Sequence, residues 1–153
     1  VFKEKDHFKA VYSAGNGWQK VAGKLRPIYE IFYQESEDGI KFFPSGKKII
    51  SCDFKVEHAL GRPQITKFEE TYFVFYTRRL LNYQYHMGVS KSTDCIYWER
   101  IDSWVGHIPY GNNNDFDSNM VYFPCVINTG QKIFMFYTGN GYGEKGFGYC
   151  ELK

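Results

Sequence analysis

The chain has 153 residues, enough for a real hydrophobic core. Its 19 basic and 17 acidic residues leave a net charge of +2, scattered singly or in pairs such as Lys47-Lys48 and Arg78-Arg79; that is a solvated surface, not the basic face nucleic acid requires. Its 13 Tyr, 14 Phe and 3 Trp exclude a disordered chain and point to an all-β protein, because aromatic side chains suit the half-buried surface of a sheet. No apolar run reaches the roughly 18–20 residues of a membrane-spanning helix, so neither nucleic acid nor membrane is expected as a partner.

Val1-Phe2-Lys3 reads as the tail of a strand, and Lys5-Asp6 as a turn. Phe8 to Ser13 alternates as a strand. Ala14 to Gly23, which holds Trp18, has the Gly, Asn and Ser content of a loop. Pro27 to Ser36 is the next strand. Glu37-Asp38-Gly39 is a tight turn, since Asp-Gly supplies positive φ. Ile40-Lys41-Phe42 opens an outer strand that Pro44-Ser45-Gly46 breaks.

A second unit follows. Arg62-Pro63-Gln64-Ile65 is its innermost strand, Glu69-Glu70 its turn, and Tyr72 to Thr77 its second strand. Arg78 to Asn82 is a polar loop, and Tyr83 to Ser90 the third strand. Ser92 to Trp98 repeats Ser36 to Phe42 as Ser-x-Asp-x-Ile-x-aromatic. In the last unit, Gly106 to Asn119 is a long polar connection and Val121 to Ile127 an inner strand centred on Pro124. Asn128 to Gln131 turns into the strand Ile133 to Thr138. Gly139 to Gly143 is a glycine-rich loop, and Gly146 to Glu151 the closing strand.

The second strands are copies of one another. Tyr72-Phe73-Val74-Phe75-Tyr76-Thr77 matches Phe8 to Ser13 and Ile133 to Thr138, about 60 residues apart. In the same frame Pro63 falls on Pro124, and Ile65 on Val126. Strands repeated at that period predict β-propeller blades: about three four-stranded antiparallel blades, near 1–50, 51–105 and 106–153, in one fragment of a larger ring. The first unit begins inside its inner strand and the third stops after three strands. Open edges are exposed to pairing, so self-association or further N-terminal blades of the same protein are expected.

Inner-strand Pro, then aromatic-x-aromatic-Tyr-Thr-Gly-Asn, then Gly-Tyr-Gly with Phe147-Gly148-Tyr149, resembles the five-bladed β-propeller glycosidases of the arabinanase, levansucrase and invertase superfamily, of the glycoside hydrolase family 43 type. Ser92 to Trp98 resembles their outer hairpin. The resemblance implies C-terminal blades only, a carbohydrate partner in an axial funnel, and glycoside hydrolysis by paired carboxylates. In that family the orienting Asp and acidic Glu stand one or two residues before the inner-strand proline. Here those positions are Gly61-Arg62 and Tyr122-Phe123. No catalytic residue is assigned: the carboxylates belong to other blades, or the chain is a non-catalytic carbohydrate-binding module. A protein-binding propeller scaffold is the third reading.

Candidate substrate contacts are Glu57 and His58, just before the second inner strand, and Arg62 on it. Asp115, Asp117 and Asn119 precede the third, and Trp104 and Tyr142 lie in loops. Arg62 could clamp a hydroxyl or carboxylate, or pair with Glu57 inside the ring. Asp115 and Asp117 could meet a sugar, or only shape their own turn. Trp18 and Trp98 could stack on sugar, but Trp98 is expected to pack between blades. His7, His58, His86 and His107 are too dispersed for a triad. No metal or cofactor is expected: Cys52, Cys95, Cys125 and Cys150 form no C-x-x-C pair. They read as buried free thiols, which suits a reducing compartment such as the cytoplasm.

Overall fold

The computed structural model describes residues 1–42, 46–106 and 110–152. The expected break at Pro44-Ser45 and the expected loop position of His107 lie outside the described residues. The protein is all-β. Strands β1 (Phe2–Glu4), β2 (His7–Val21), β3 (Lys24–Ser36) and β4 (Lys47–Ile50) pair in sequence order as an antiparallel sheet. Strands β5 (Glu57–Phe68), β6 (Thr71–Leu80), β7 (Tyr85–Ser92) and β8 (Glu99–Arg100) repeat that order. Strands β9 (Tyr122–Asn128), β10 (Ile133–Thr138) and β11 (Phe147–Leu152) form the third sheet. Among the described residues, the backbone pairing between the first set and the second is a parallel bridge from Tyr29 to Ala59. One short helix, α1 (Ser103–Gly106), follows β8. Among the described residues no helix is long and apolar enough to cross a membrane.

These are propeller blades, and the core lies between them. Along β6 successive side chains leave opposite faces of the strand. Tyr72, Val74 and Tyr76 pack with Ile31, Tyr33 and Ile50 of the first blade. Phe75 packs with Val121, Val126 and Met135 of the third. Both faces of β6 are therefore covered, which is why its sequence is a nearly unbroken aromatic and apolar run. Val74 is fully enclosed, and burying such a side chain contributes about 1.5–3 kcal/mol.

The repeat extends to atoms. Tyr76 faces Gly88 across β6 and β7, and Tyr137 faces Gly148 across β10 and β11. Each tyrosine hydroxyl ends on an aspartate: Tyr76 donates to Asp102 at 2.6 Å and Tyr137 to Asp117 at 2.8 Å. Ser36 and Ser92 start identical turns. Asp38 Oδ1 accepts from the N–H groups of Ile40 and Lys41, and Asp94 Oδ1 from those of Ile96 and Tyr97, all between 2.7 and 2.9 Å. Trp98, behind the second turn, packs against the core between the first two blades as expected.

Four expectations need correction. Arg78 to Leu80 is no loop but the end of β6, where Arg78 pairs with His86 and Arg79 with Tyr85. Ala14 to Gly23 is no loop. β2 runs on to Val21, and the hairpin closes at Ala22-Gly23, both with positive φ. The loop-like Gly15-Asn16-Gly17 is absorbed by a bulge between Gly15 and Trp18. The outer strand of the first blade is Lys47–Ile50, not Ile40–Phe42, because Asp38 holds the latter segment in a turn. Cys125 is exposed and Cys150 half-buried. The buried thiol is Cys95, and all four cysteines are free.

Candidate functional site

Inner strands β5 and β9 carry the same irregularity at the same place. Gly61 pairs with Thr77 and Gln64 with Phe75, leaving Arg62-Pro63 opposite one residue. Tyr122 pairs with Thr138 and Cys125 with Phe136, leaving Phe123-Pro124 opposite one residue. A bulge re-aims the side chain it carries. Proline cannot donate to the ladder, which fits it to such a spot. Arg62 and Phe123 both take left-handed backbone, with φ of 47° and 56°. Positive φ is costly for side chains of this size. The Phe123 N–H is held by Thr77 Oγ1 at 2.9 Å, and the Tyr122 carbonyl by the Thr138 hydroxyl at 3.1 Å. Gln64 ties the two inner strands together. Its amide donates to the Val126 carbonyl at 2.8 Å and accepts from the Val126 N–H at 2.5 Å.

The two bulged residues meet at a cleft of about 230 Å³, whose wall also includes Tyr29, Leu60, Arg79 and Tyr85. The Arg62 guanidinium lies 3.9 Å from the Phe123 ring centroid, and that of Arg79 5.6 Å from Tyr85. Tyr85 also packs against Tyr122 and Tyr142, at 5.2 and 5.6 Å between centroids. Burial and the neighbouring Tyr142 hydroxyl push the Tyr85 phenol up to about 12. The described lining contains no carboxylate.

Of the residues singled out from sequence, Arg62 and Tyr142 are brought to this neighbourhood. His58 lies behind it, buried, with Nδ1 at 3.1 Å from the Pro27 carbonyl. Burial, reinforced by Arg79 and Arg26, holds its imidazole below the ordinary value. Glu57 is fully enclosed. Its partners are Arg78 at 2.5 Å and Arg100 at 2.7 Å, not Arg62. Asp102 completes that network, 2.5 Å from Arg100.

The remaining candidates stand elsewhere. Asp117 is buried under the Tyr137 hydroxyl. Asp115 accepts from the Asn112 N–H at 2.7 Å, closing its own turn. The Asn119 and Met120 N–H groups are both held by Asn140 Oδ1. Trp104 is exposed on α1, beside Phe73 and Lys91, toward the other end of β6 from Arg79. Among the described residues no group of three or more His, Cys, Asp or Glu could hold a metal ion. Sequence reasoning missed Phe123, Arg79 and Tyr85. Phe123 carried a usable signal, because aligning Pro63 with Pro124 places it on Arg62.

No protein-family model matches the chain. It is 24% identical to Rv1502 of Mycobacterium tuberculosis, described as an uncharacterized protein, over all of this chain and 49% of that one. The chain thus spans about half the length of the curated relatives it matches. Among solved structures it resembles Zg3597, a family 117 glycoside hydrolase of the marine bacterium Zobellia galactanivorans. The TM-score is 0.69 at 20% identity, over 89% of this chain and 45% of that one. It also resembles a mutant of a Bombyx mori family 32 β-fructofuranosidase in complex with sucrose. There the TM-score is 0.68 at 18% identity, over 99% and 32% of the two chains. The fold is that of glycoside-hydrolase-type propeller blades.

Proposed function

We propose that this chain forms the sugar-holding blades of a glycoside-hydrolase-like propeller, five-bladed and of the family 43 type, in which it supplies the C-terminal blades. The observation that carries this reading is the pair of matched bulges. They set Arg62 and Phe123 side by side in strained backbone at the cleft, at the position where the family places reacting and orienting residues. Strain of this kind persists where the surrounding structure enforces it, and it clusters at binding sites. A stacked arginine beside aromatic rings can hydrogen-bond a sugar while the rings cover its apolar face.

Hydrolysis needs two carboxylates flanking the scissile bond. The cleft lining offers none, and Glu57 is neutralised inside the second blade. In this proposal the acid and base come from blades outside the chain. The same lining favours a second reading, a carbohydrate-binding propeller without catalysis. Aryl-glycoside turnover by the longer protein, with and without Arg62→Gln, separates them. Turnover that falls in the variant supports the first reading. Glycan binding without turnover supports the second. Silence on both a glycan array and aryl-glycosides would overturn both.

A further inference from the structure

Arg78 and Arg79 are neighbours on β6, so they leave opposite faces of the strand. Arg78 turns to a carboxylate, Glu57, at 2.5 Å. Arg79 turns to the cleft, where among the described residues it has no ion-pair partner. Its Nε is enclosed without a hydrogen bond. Arg62, also on the cleft, has no carboxylate partner among the described residues either.

Two other polar groups of the wall are already engaged. The Ser13 hydroxyl donates to the Leu60 carbonyl at 2.6 Å, and Thr77 Oγ1 accepts from Phe123. The rings of Phe123 and Tyr85 lie against the two guanidinium groups. That contact orients each planar fork, which suits bidentate binding of an oxyanion. Part of the remaining wall is apolar, from Ala59 to Gly61, so charge acts there through a lower dielectric than in water. Elsewhere in this blade a guanidinium is neutralised by an acid: Arg100, like Arg78, meets Glu57. At the cleft no acid stands among the described lining residues.

We propose that the cleft takes an anionic sugar whose carboxylate or phosphate ester is bound by Arg62 and Arg79. This deepens the carbohydrate reading above and rests on it. The acid that pairs with the arginines arrives with the ligand.

Calorimetry on the full chain tests the assignment with four probes: glucuronate, glucose 6-phosphate, glucose and inorganic phosphate. Glucuronate or glucose 6-phosphate should bind about tenfold or more tightly than glucose, the gain expected of charge-assisted bonds. The tighter of the two identifies the anion. Arg62→Gln and Arg79→Gln should each remove most of that preference while near-UV circular dichroism stays native. If Arg79→Gln fails to fold, the exposed Arg62 still decides the question. Arg62→Lys, which keeps the charge but loses the fork, should then bind between wild type and Arg62→Gln. Equal binding of glucose and the charged sugars would overturn the inference and leave the carbohydrate reading standing. Inorganic phosphate binding as tightly as glucose 6-phosphate would remove the sugar from the site and sink both. Absence of binding by every probe, or preference that survives in the variants, would overturn the inference.

Discussion

Arg62 and Phe123 hold the same place in successive blades, each one residue before an inner-strand proline, and they stack on each other at 3.9 Å. Neither is a residue that backbone preference would put there, since both have positive φ. Arg62→Gly should therefore relieve strain of about 1–3 kcal/mol against the loss of a stacking contact of about 0.5–1 kcal/mol. Urea denaturation should show stability unchanged or raised by about 1 kcal/mol, while sugar binding falls. A clear loss of stability would mean that the arginine is there for the fold.

Glu57 should behave in the opposite way. It is enclosed between Arg78 and Arg100. Removing one partner of a buried pair leaves an uncompensated charge, at a cost of about 3–5 kcal/mol. Glu57→Gln is expected to lower the urea midpoint by a corresponding amount. A variant as stable as wild type would show that the network is not structural.

Much of this was legible in the sequence, and the divide has a physical basis. The aromatic copies at Phe8, Tyr72 and Ile133, and the paired turns at Asp38 and Asp94, depend on residues close in the chain. Local chemistry decides them. The Glu57 network was hidden because Arg78 and Arg100 come from β6 and β8, and nothing local links them to β5. The long hairpin over Ala14 to Gly23 was hidden because its glycines sit in a bulge, while its register is set by the partner strand Lys24–Ser36. Of the cleft, Arg62 and Tyr142 could be named, but Arg79 could not. Its face of the strand is known only once Arg78 is seen to point at Glu57.

Glu4 links the first blade to the second and makes the fold acid-sensitive. Lys67 at 2.8 Å, then the Tyr72 hydroxyl, hold its carboxyl down at about 2. A depressed carboxylate stabilises the fold above its unfolded value of about 4.5, and that contribution is lost as pH falls through about 2. The melting temperature of wild type should therefore fall more than that of Glu4→Gln between pH 6 and pH 2. Parallel curves would remove Glu4 from the account. Part of the difference should also vanish in high salt, because the pair is partly exposed.

Gly88 has no room for a side chain. A Cβ there would stand 2.7 Å from Asp102 Oδ1 and 2.8 Å from Arg78 Cδ, under the Tyr76 ring. Gly88→Ala should cost about 1–3 kcal/mol by overpacking. Gly148→Ala, where Tyr137 takes the equivalent place, should be destabilised in the same direction. Thermal unfolding of the two variants tests the blade equivalence. An effect at only one position would contradict it.

The central claim is that sugar is held where the bulges of β5 and β9 meet. Hydrogen–deuterium exchange on the full chain, with and without a glycan that binds it, tests this most directly. The account predicts slowed exchange at Ala59 to Arg62 and at Tyr122 to Phe123, with the outer turn Ser92 to Trp98 unchanged. Protection confined to that outer turn, with none at the two bulges, would contradict it.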